Sequence, residues 1–512
     1  MAWTTIPDLG QGLNLDQQPE ELALGVSSGG SNMRFRAGSA ERFKGMVNVY
    51  TTPLVAPYHI QHYTAGTTRF VVYAGLQKTY ADDGTTQTDI TNGNNTGAID
   101  DRYTGGIFNG VYIQNNGVDA PQYWGGNVAN NLANLTAWPL NYKCGFLRPF
   151  KNYLIAGDVT RAGGRERGTI LWSHIADPGT IPTSWDITDA TKDAGDVSLS
   201  ETNGTLIDCL PYGDMNIIYK DDAIHFQQAI GGVLVFRFGR LPGDTGLLAR
   251  GCVVAVPQGH VFVTPGFDLC LHNGQGPQSI IDGKLRTWIR SNINASKATR
   301  SFLASNPATN EVLWCFPTDA LEVCNKAIVW NWKDGTFGIR DLSSVTYGST
   351  GQITLAGSTD TWSGDTETWD EDATTWGESD YAPNSPRLIF SRSTPALSMF
   401  DATGKDFDTD FTATIERTGM HFDSPETVKL CRGVRPKIDA PNGTTVYIQI
   451  GAAMLPDQAP TWQTAVAYTV GTDIEAHAFA SGRFLSLRIY TTMNQPWRIR
   501  SAQMDIVSQG AY

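Results

Sequence analysis

Apolar residues along this chain come in short bursts: Phe70-Val71-Val72-Tyr73, Val111-Tyr112-Ile113, Tyr153-Leu154-Ile155, Ile217-Ile218-Tyr219, Val261-Phe262-Val263 and Val312-Leu313-Trp314. Each run is too short for a helix and rich in β-branched and aromatic residues, so each predicts a buried strand. They recur at roughly 40 to 60 residues, the interval of propeller blades with about four strands each. Turn residues and a further strand follow most of them. Lys220-Asp221-Asp222 precedes Ile224-His225-Phe226, Pro265-Gly266 precedes Leu269-Cys270-Leu271, and Lys333-Asp334-Gly335 separates Ile328-Val329-Trp330-Asn331-Trp332 from Phe337-Gly338-Ile339. About six blades are expected, with Arg387-Leu388-Ile389-Phe390 and Ala396-Leu397-Ser398-Met399-Phe400 in a last or closing blade. Two stacked sandwiches with long insertions are the alternative.

Beyond residue 406 the texture changes to clean alternation. Val446, Ile448 and Ile450 face one way and Tyr447 and Gln449 the other; Leu485, Leu487 and Ile489 alternate with Ser486 and Arg488, and Trp497 and Ile499 with Arg498 and Arg500. This predicts a C-terminal β-sandwich. The first fifty residues carry many glycines and no strong periodicity, apart from a hairpin pattern in which Met33-Arg34-Phe35-Arg36 turns through Ala37-Gly38-Ser39 into Ala40-Glu41-Arg42-Phe43. The reading is all-β: an extended arm over 1–50, free to order on a neighbour, a propeller-like platform over 51–405, and a sandwich over 406–512.

Composition agrees. Glycine numbers 53, and charged residues make up only 17%, which suits strands joined by tight turns. The seven cysteines are scattered without a Cys-x-x-Cys pair and read as buried thiols. No apolar run is long enough to span a bilayer, and the N-terminal residues lack a signal-peptide pattern. A formal net charge of −13 argues against a protein that grips nucleic acid through phosphates, though not against one that nucleic acid slides past.

Candidate chemistry is sparse. Gly25-Val26-Ser27-Ser28-Gly29 matches a nucleophile elbow in letters, but the flanks do not read as strand and helix. His59 and His62 are spaced to meet across a turn; strand histidines with satisfied surroundings are the plainer reading. Nothing has Walker spacing or zinc-ligand grammar. Three septads ending in Trp362, Trp369 and Trp376 lie within an acidic stretch, 358–380, whose Asp365, Asp370, Glu371 and Asp372 offer oxygen ligands without calcium-loop order. Ser363-Gly364-Asp365-Thr366-Glu367-Thr368-Trp369 resembles the Asp-box of sialidase-type propellers, with Glu367 where that family has glycine. It suggests a sugar-cleaving or sugar-binding propeller as the rival function. The tryptophans are otherwise expected to fasten a surface-wrapping segment through ring burial. No cofactor, metal or catalytic residue is assigned.

The run Gly12-Leu13-Asn14-Leu15-Asp16, then Leu22, Gly25, and Asn32-Met33-Arg34-Phe35-Arg36-Ala37-Gly38 up to Gly45, resembles the opening of podophage tail nozzle proteins, also called tail tubular protein B or packaged-DNA stabilisation protein. Thr183-Ser184-Trp185-Asp186, Cys431-Arg432-Gly433-Val434-Arg435-Pro436 and Ser481-Gly482-Arg483-Phe484-Leu485 resemble further stretches of that family. The resemblance implies a non-enzymatic virion-tail component assembled in the bacterial host cytoplasm. It implies a ring, usually of six copies, docked below portal and adaptor, with needle, spike or fibre proteins nearby. Such a ring retains packaged DNA and conducts it at ejection without tight binding, and acidic residues facing the lumen would repel phosphate. Asn32, Arg34, Phe35 and Arg36 are the arm's candidate interaction residues.

Overall fold

The computed structural model of the chain describes residues 3–232, 234–352, 386–407 and 409–511. Five four-stranded antiparallel sheets follow one another: from His59–Ala65 to Gln87–Asp89, from Thr104–Phe108 to Ala133–Asn134, from Lys143–Phe150 to Gly195–Ser198, from Leu206–Tyr212 to Phe236–Arg240, and from Val253–Val256 to Pro277–Ser279. These are blades 1 to 5. Blade 6 comprises Phe302–Asn306, Glu311–Phe316, Cys324–Asn331 and the first half of the long strand Phe337–Gly351. Among the described residues the ring thus has seven blades, one more than expected: the six apolar runs mark six of them, and the strands expected in a closing blade form the seventh, which closes the ring. The second half of Phe337–Gly351 pairs with Arg387–Arg392, which pairs with Ala396–Thr403, which pairs with Gly45–Val49. One strand thus serves two blades, and it changes blade where Ser344 takes a φ of 54°.

Every one of the six apolar runs is the second strand of its blade. That strand has neighbours on both edges, and adjoining blades cover both its faces. Hence Ile217, Ile218, Tyr219, Val261, Phe262 and Val263 are all at 0% exposure, and a continuous apolar run is what such a strand needs. Between blades 1 and 2 the seam is aromatic: Trp124 meets Tyr63 and Phe70 edge-on, at 5.7 and 5.2 Å between ring centroids. Val49, Ile389 and Leu397 pack against Ile60 and Val71, so blade 7 seals onto blade 1.

The C-terminal sandwich stands as read. Ala413–Met420, Phe484–Thr491 and Thr445–Ala453 form one sheet, with Ile448 opposite Ile489 and Ile450 opposite Leu487. The second sheet pairs Thr427–Asp439 with Arg498–Ala511 and faces the first through Val434, Met504 and Ala502. Ser486 departs from the alternation by being buried.

The arm is where expectation and structure part. It is extended, but it does not wait for a neighbour; it is a strap laid through its own chain. Trp3–Ile6 pairs with Arg498–Ala511 and Gly29–Ser31 with Ala413–Met420, adding a strand to each sandwich sheet. The hairpin Met33–Arg36/Ser39–Arg42 turns through Ala37 and Gly38, at φ 48° and 69°, and bridges blade 6 to the sandwich. Gly45–Val49 is the outer strand of blade 7. Ile6, Leu9, Leu13 and Phe35 are buried. The segment looked poor in core residues because its few apolar side chains are spread over several sites on the body rather than gathered on one face.

Candidate functional site at the strap junction and the propeller axis

The residues singled out in the arm converge on one junction. Asn32 adopts φ 59°, a left-handed conformation that asparagine tolerates. Its Oδ1 accepts from Arg340 Nη1 and from the Asp341 amide, both at 2.9 Å; its Nδ2 donates to Asp341 Oδ2 at 3.0 Å and to the Thr412 carbonyl at 2.7 Å. One amide side chain thereby ties the strap to blade 6 and to the linker entering the sandwich. Arg34, buried, donates through Nη1 to Asp401 at 2.7 Å and lies 3.2 Å from Glu311 through Nε, with its guanidinium 4.4 Å from the Phe43 ring centroid. Burial works against its charge, but Asp401 and Glu311 outweigh it and raise its pKa. Burial raises Glu311 despite Arg34, whereas Asp401, opposed by burial, is held down by Arg34. Phe35 points into the apolar core shared with Leu13 and Phe337. Arg36 forks onto Glu41, three residues beyond the turn, at 2.8 Å for both bonds.

Around these four stand partners that no local signal announced. Arg340, at 0% exposure, grips both oxygens of Asp406 at 2.6 and 2.7 Å. Phe411 is clasped between Arg42 and Arg340, at 3.9 and 4.2 Å from its centroid. Arg42 is pulled down to about 10 by burial and then by repulsion from Arg340. Farther along the strap, Asp16 accepts from the amides of Thr287 and Trp288 and caps the helix Arg286–Asn292, while Arg417 donates to the carbonyls of Pro19 and Leu22. Signature glycines mark close crossings: a Cβ on Gly45 would lie 2.0 Å from the Lys405 carbonyl oxygen, and one on Gly25 2.3 Å from that of Asp8. The charged groups here are committed to partners, so the arrangement fastens three parts of the chain together.

The second polar concentration lies on the propeller axis. Arg148, from the first strand of blade 3, forks onto Asp208 from the first strand of blade 4 at 2.8 and 2.7 Å and donates to the Gly105 carbonyl of blade 2. His59 is stacked on Tyr103 and tilted against Tyr347, and burial with the nearby Arg148 and Arg102 lowers it to about 3. One mouth of the axis is capped. The connection between blades 1 and 2 crosses it, with Asp100 bound by Arg300 at the entrance to blade 6 (2.6 Å) and the Arg102 carbonyl accepting from Arg250, before blade 5, at 3.2 Å.

The remaining sequence candidates are dispersed. Ser27 is buried in the strap beside Leu13, with no histidine bonded to its hydroxyl. His59 and His62 share one strand, three residues apart, so no turn brings them together. All seven cysteines are buried free thiols, as read. Trp362, Trp369, Trp376 and Asp365 lie outside the described residues. Among the described residues no cluster of three metal-ligating side chains occurs, and no helix is long and apolar enough to cross a membrane.

No family model and no curated protein matches the chain. Solved structures that match the chain include the WD40 β-propeller domain of Doa1, at 8% identity and a TM-score of 0.35, covering 71% of this chain and 97% of that one. YCF48 from Cyanidioschyzon merolae matches at 10% identity and TM-score 0.37, over 70% of this chain and 98% of that one. PorZ of Porphyromonas gingivalis matches at 8% and 0.36, over 73% of this chain and 43% of its own length. The propeller described above rests on strand pairing.

Proposed function

We propose that this chain is a structural subunit of a podophage-type tail nozzle, assembling with copies of itself into a ring below the portal and adaptor that retains and then conducts the genome. The observation that carries the reading is the strap. The run whose letters resemble the nozzle opening, from Gly12 to Gly45, is also the run whose asparagine, arginines and glycines bind propeller to sandwich. Such a signature belongs to an architecture rather than to a catalytic site. The net charge of −13 favours sliding over gripping.

Native mass measurement and negative-stain imaging of the purified full chain, alone and with portal-complex proteins, test this. A closed ring, or recruitment to tails, is expected. A monomer that hydrolyses host-surface glycans would replace the nozzle with the sugar-acting reading.

A further inference from the structure

The outer face of the second sandwich sheet is positive, in a chain whose net charge is −13. Arg432, Arg435 and Lys437 lie along Thr427–Asp439, and Arg498 and Arg500 along its partner Arg498–Ala511. Three carboxylates interleave with them: Asp505 holds Arg432 at 2.7 Å, Glu475 holds Arg435 at 3.0 Å and Asp439 holds Arg498 at 2.7 Å. Lys437 and Arg500 are exposed and have no acidic partner among the described residues. The Arg435 guanidinium lies 3.9 Å from the centroid of the Trp3 ring, and Phe479, on the segment flanking Thr427–Asp439, is 59% exposed. Arginines set among aromatic rings are what protein contacts favour. A phosphate backbone would meet the interleaved carboxylates, so the face suits a protein surface with a few acidic groups better than a nucleic acid.

Such a surface lies elsewhere on the same chain. The connection between the third and fourth strands of blade 3, residues 173–194, carries Asp177, Asp186 and Asp189, with Lys192 as its one lysine or arginine. Ile175 and Ile187 stand out from it, each 43% exposed. Buried Trp185, edge-on to Trp138 at 4.7 Å, pins the connection to the body, so presenting Asp186 and Ile187 to a partner costs little ordering. The hairpin Met33–Arg36/Ser39–Arg42 attaches the second sheet at blade 6, and blade 3 is half-way round the ring of seven. The two surfaces thus lie on opposite sides of the chain, where a contact between them repeats head to tail from copy to copy. We propose that the occupant of the basic sheet face is a second copy of this chain, which docks through its blade 3 connection. The inference rests on the reading of the chain as a ring-forming subunit and names the faces that meet. Charge sets the register and the isoleucines meet the aromatic rings.

Sedimentation and mass photometry of the full chain test it. The wild type is expected to self-associate. K437E/R500E reverses the two cations that hold no carboxylate, and D177K/D186N strips charge from the connection while keeping an acceptor for the Thr188 amide and hydroxyl. Each variant should weaken self-association at least tenfold with an unchanged melting temperature. Mixed together, the two should form a heterodimer of near wild-type affinity and nothing larger, because one intact face remains on each. A rise in association on mixing two impaired variants is the signature of a head-to-tail contact and keeps the test open should either variant alone melt lower. Wild-type association by either variant, or no heterodimer on mixing, overturns the assignment of faces and leaves the ring reading standing. A wild type that stays monomeric in solution also overturns it, and recruitment to tails then decides the nozzle reading separately.

Discussion

At Arg34 one guanidinium holds Asp401 and Glu311 in a site closed to water. Arg34→Ala leaves those carboxylates without their cation, and a loss of about 3–5 kcal/mol is expected; urea unfolding of the variant measures it. Arg36, about a third exposed and paired with one partly exposed glutamate, is worth under about 1 kcal/mol, so Arg36→Ala should unfold close to the wild type. The two arginines are indistinguishable in sequence, and only burial separates them. Buried histidines set the acid limit. His59 is lowered to about 3, and His62 and His260 to about 4, chiefly by burial. Their folded pKa values lie below the unfolded value near 6.5. The unfolded chain therefore takes up protons first, and stability falls as pH drops from about 6.5 towards 4, by about 1.4 kcal/mol per pH unit for each histidine. Asp82, raised to about 6 by burial, opposes one of the three over part of that window. Melting temperature measured from pH 7 to 4.5 should decline, and a flat profile would contradict the burial of these rings.

The blade is the element whose logic the sequence shows best. Its second strand is apolar throughout because both faces and both edges are covered, and such a strand stands out from any background. Ile218→Ala, inside blade 4, should cost about 2–5 kcal/mol, read by chemical denaturation. First strands are hidden for the opposite reason. Lining the axis, they carry Thr104-Gly105-Gly106, Arg148 and Asp208, a mixture that looks like loop. The outer strand of blade 7 is hidden differently: Gly45–Val49 lies some 350 positions from its partner Ala396–Thr403, and no periodicity within it names that partner. Gly45→Val places a side chain against the Lys405 carbonyl at the start of this closure. It should destabilise by about 1–3 kcal/mol or more, visible as a lowered melting temperature.

For the whole molecule, the strap's position changes what a truncation should do. Were residues 1–50 a free arm, their removal would leave a folded body. Instead their loss strips a strand from each sandwich sheet and opens the ring at blade 7. Deleting residues 1–49 is therefore expected to abolish cooperative melting and expose the body to limited proteolysis, whereas a trypsin-resistant core with wild-type melting would restore the free-arm reading. The junction is legible in part: Asn32, Arg34 and Phe35 stand out in the sequence, but their partners Asp341, Asp401, Glu311 and Thr412 lie about 270 to 380 residues away. Local chemistry in the sequence determined that the chain is all-β, where the blade cores and sandwich strands fall, and that its cysteines are buried, because burial on two faces or one dictates runs or alternation within a few residues. Only the tertiary structure decided that the first fifty residues close the ring and that Arg148 of blade 3 meets Asp208 of blade 4 on the axis. Those outcomes depend on which distant segments meet, and short-range pattern carries no record of that.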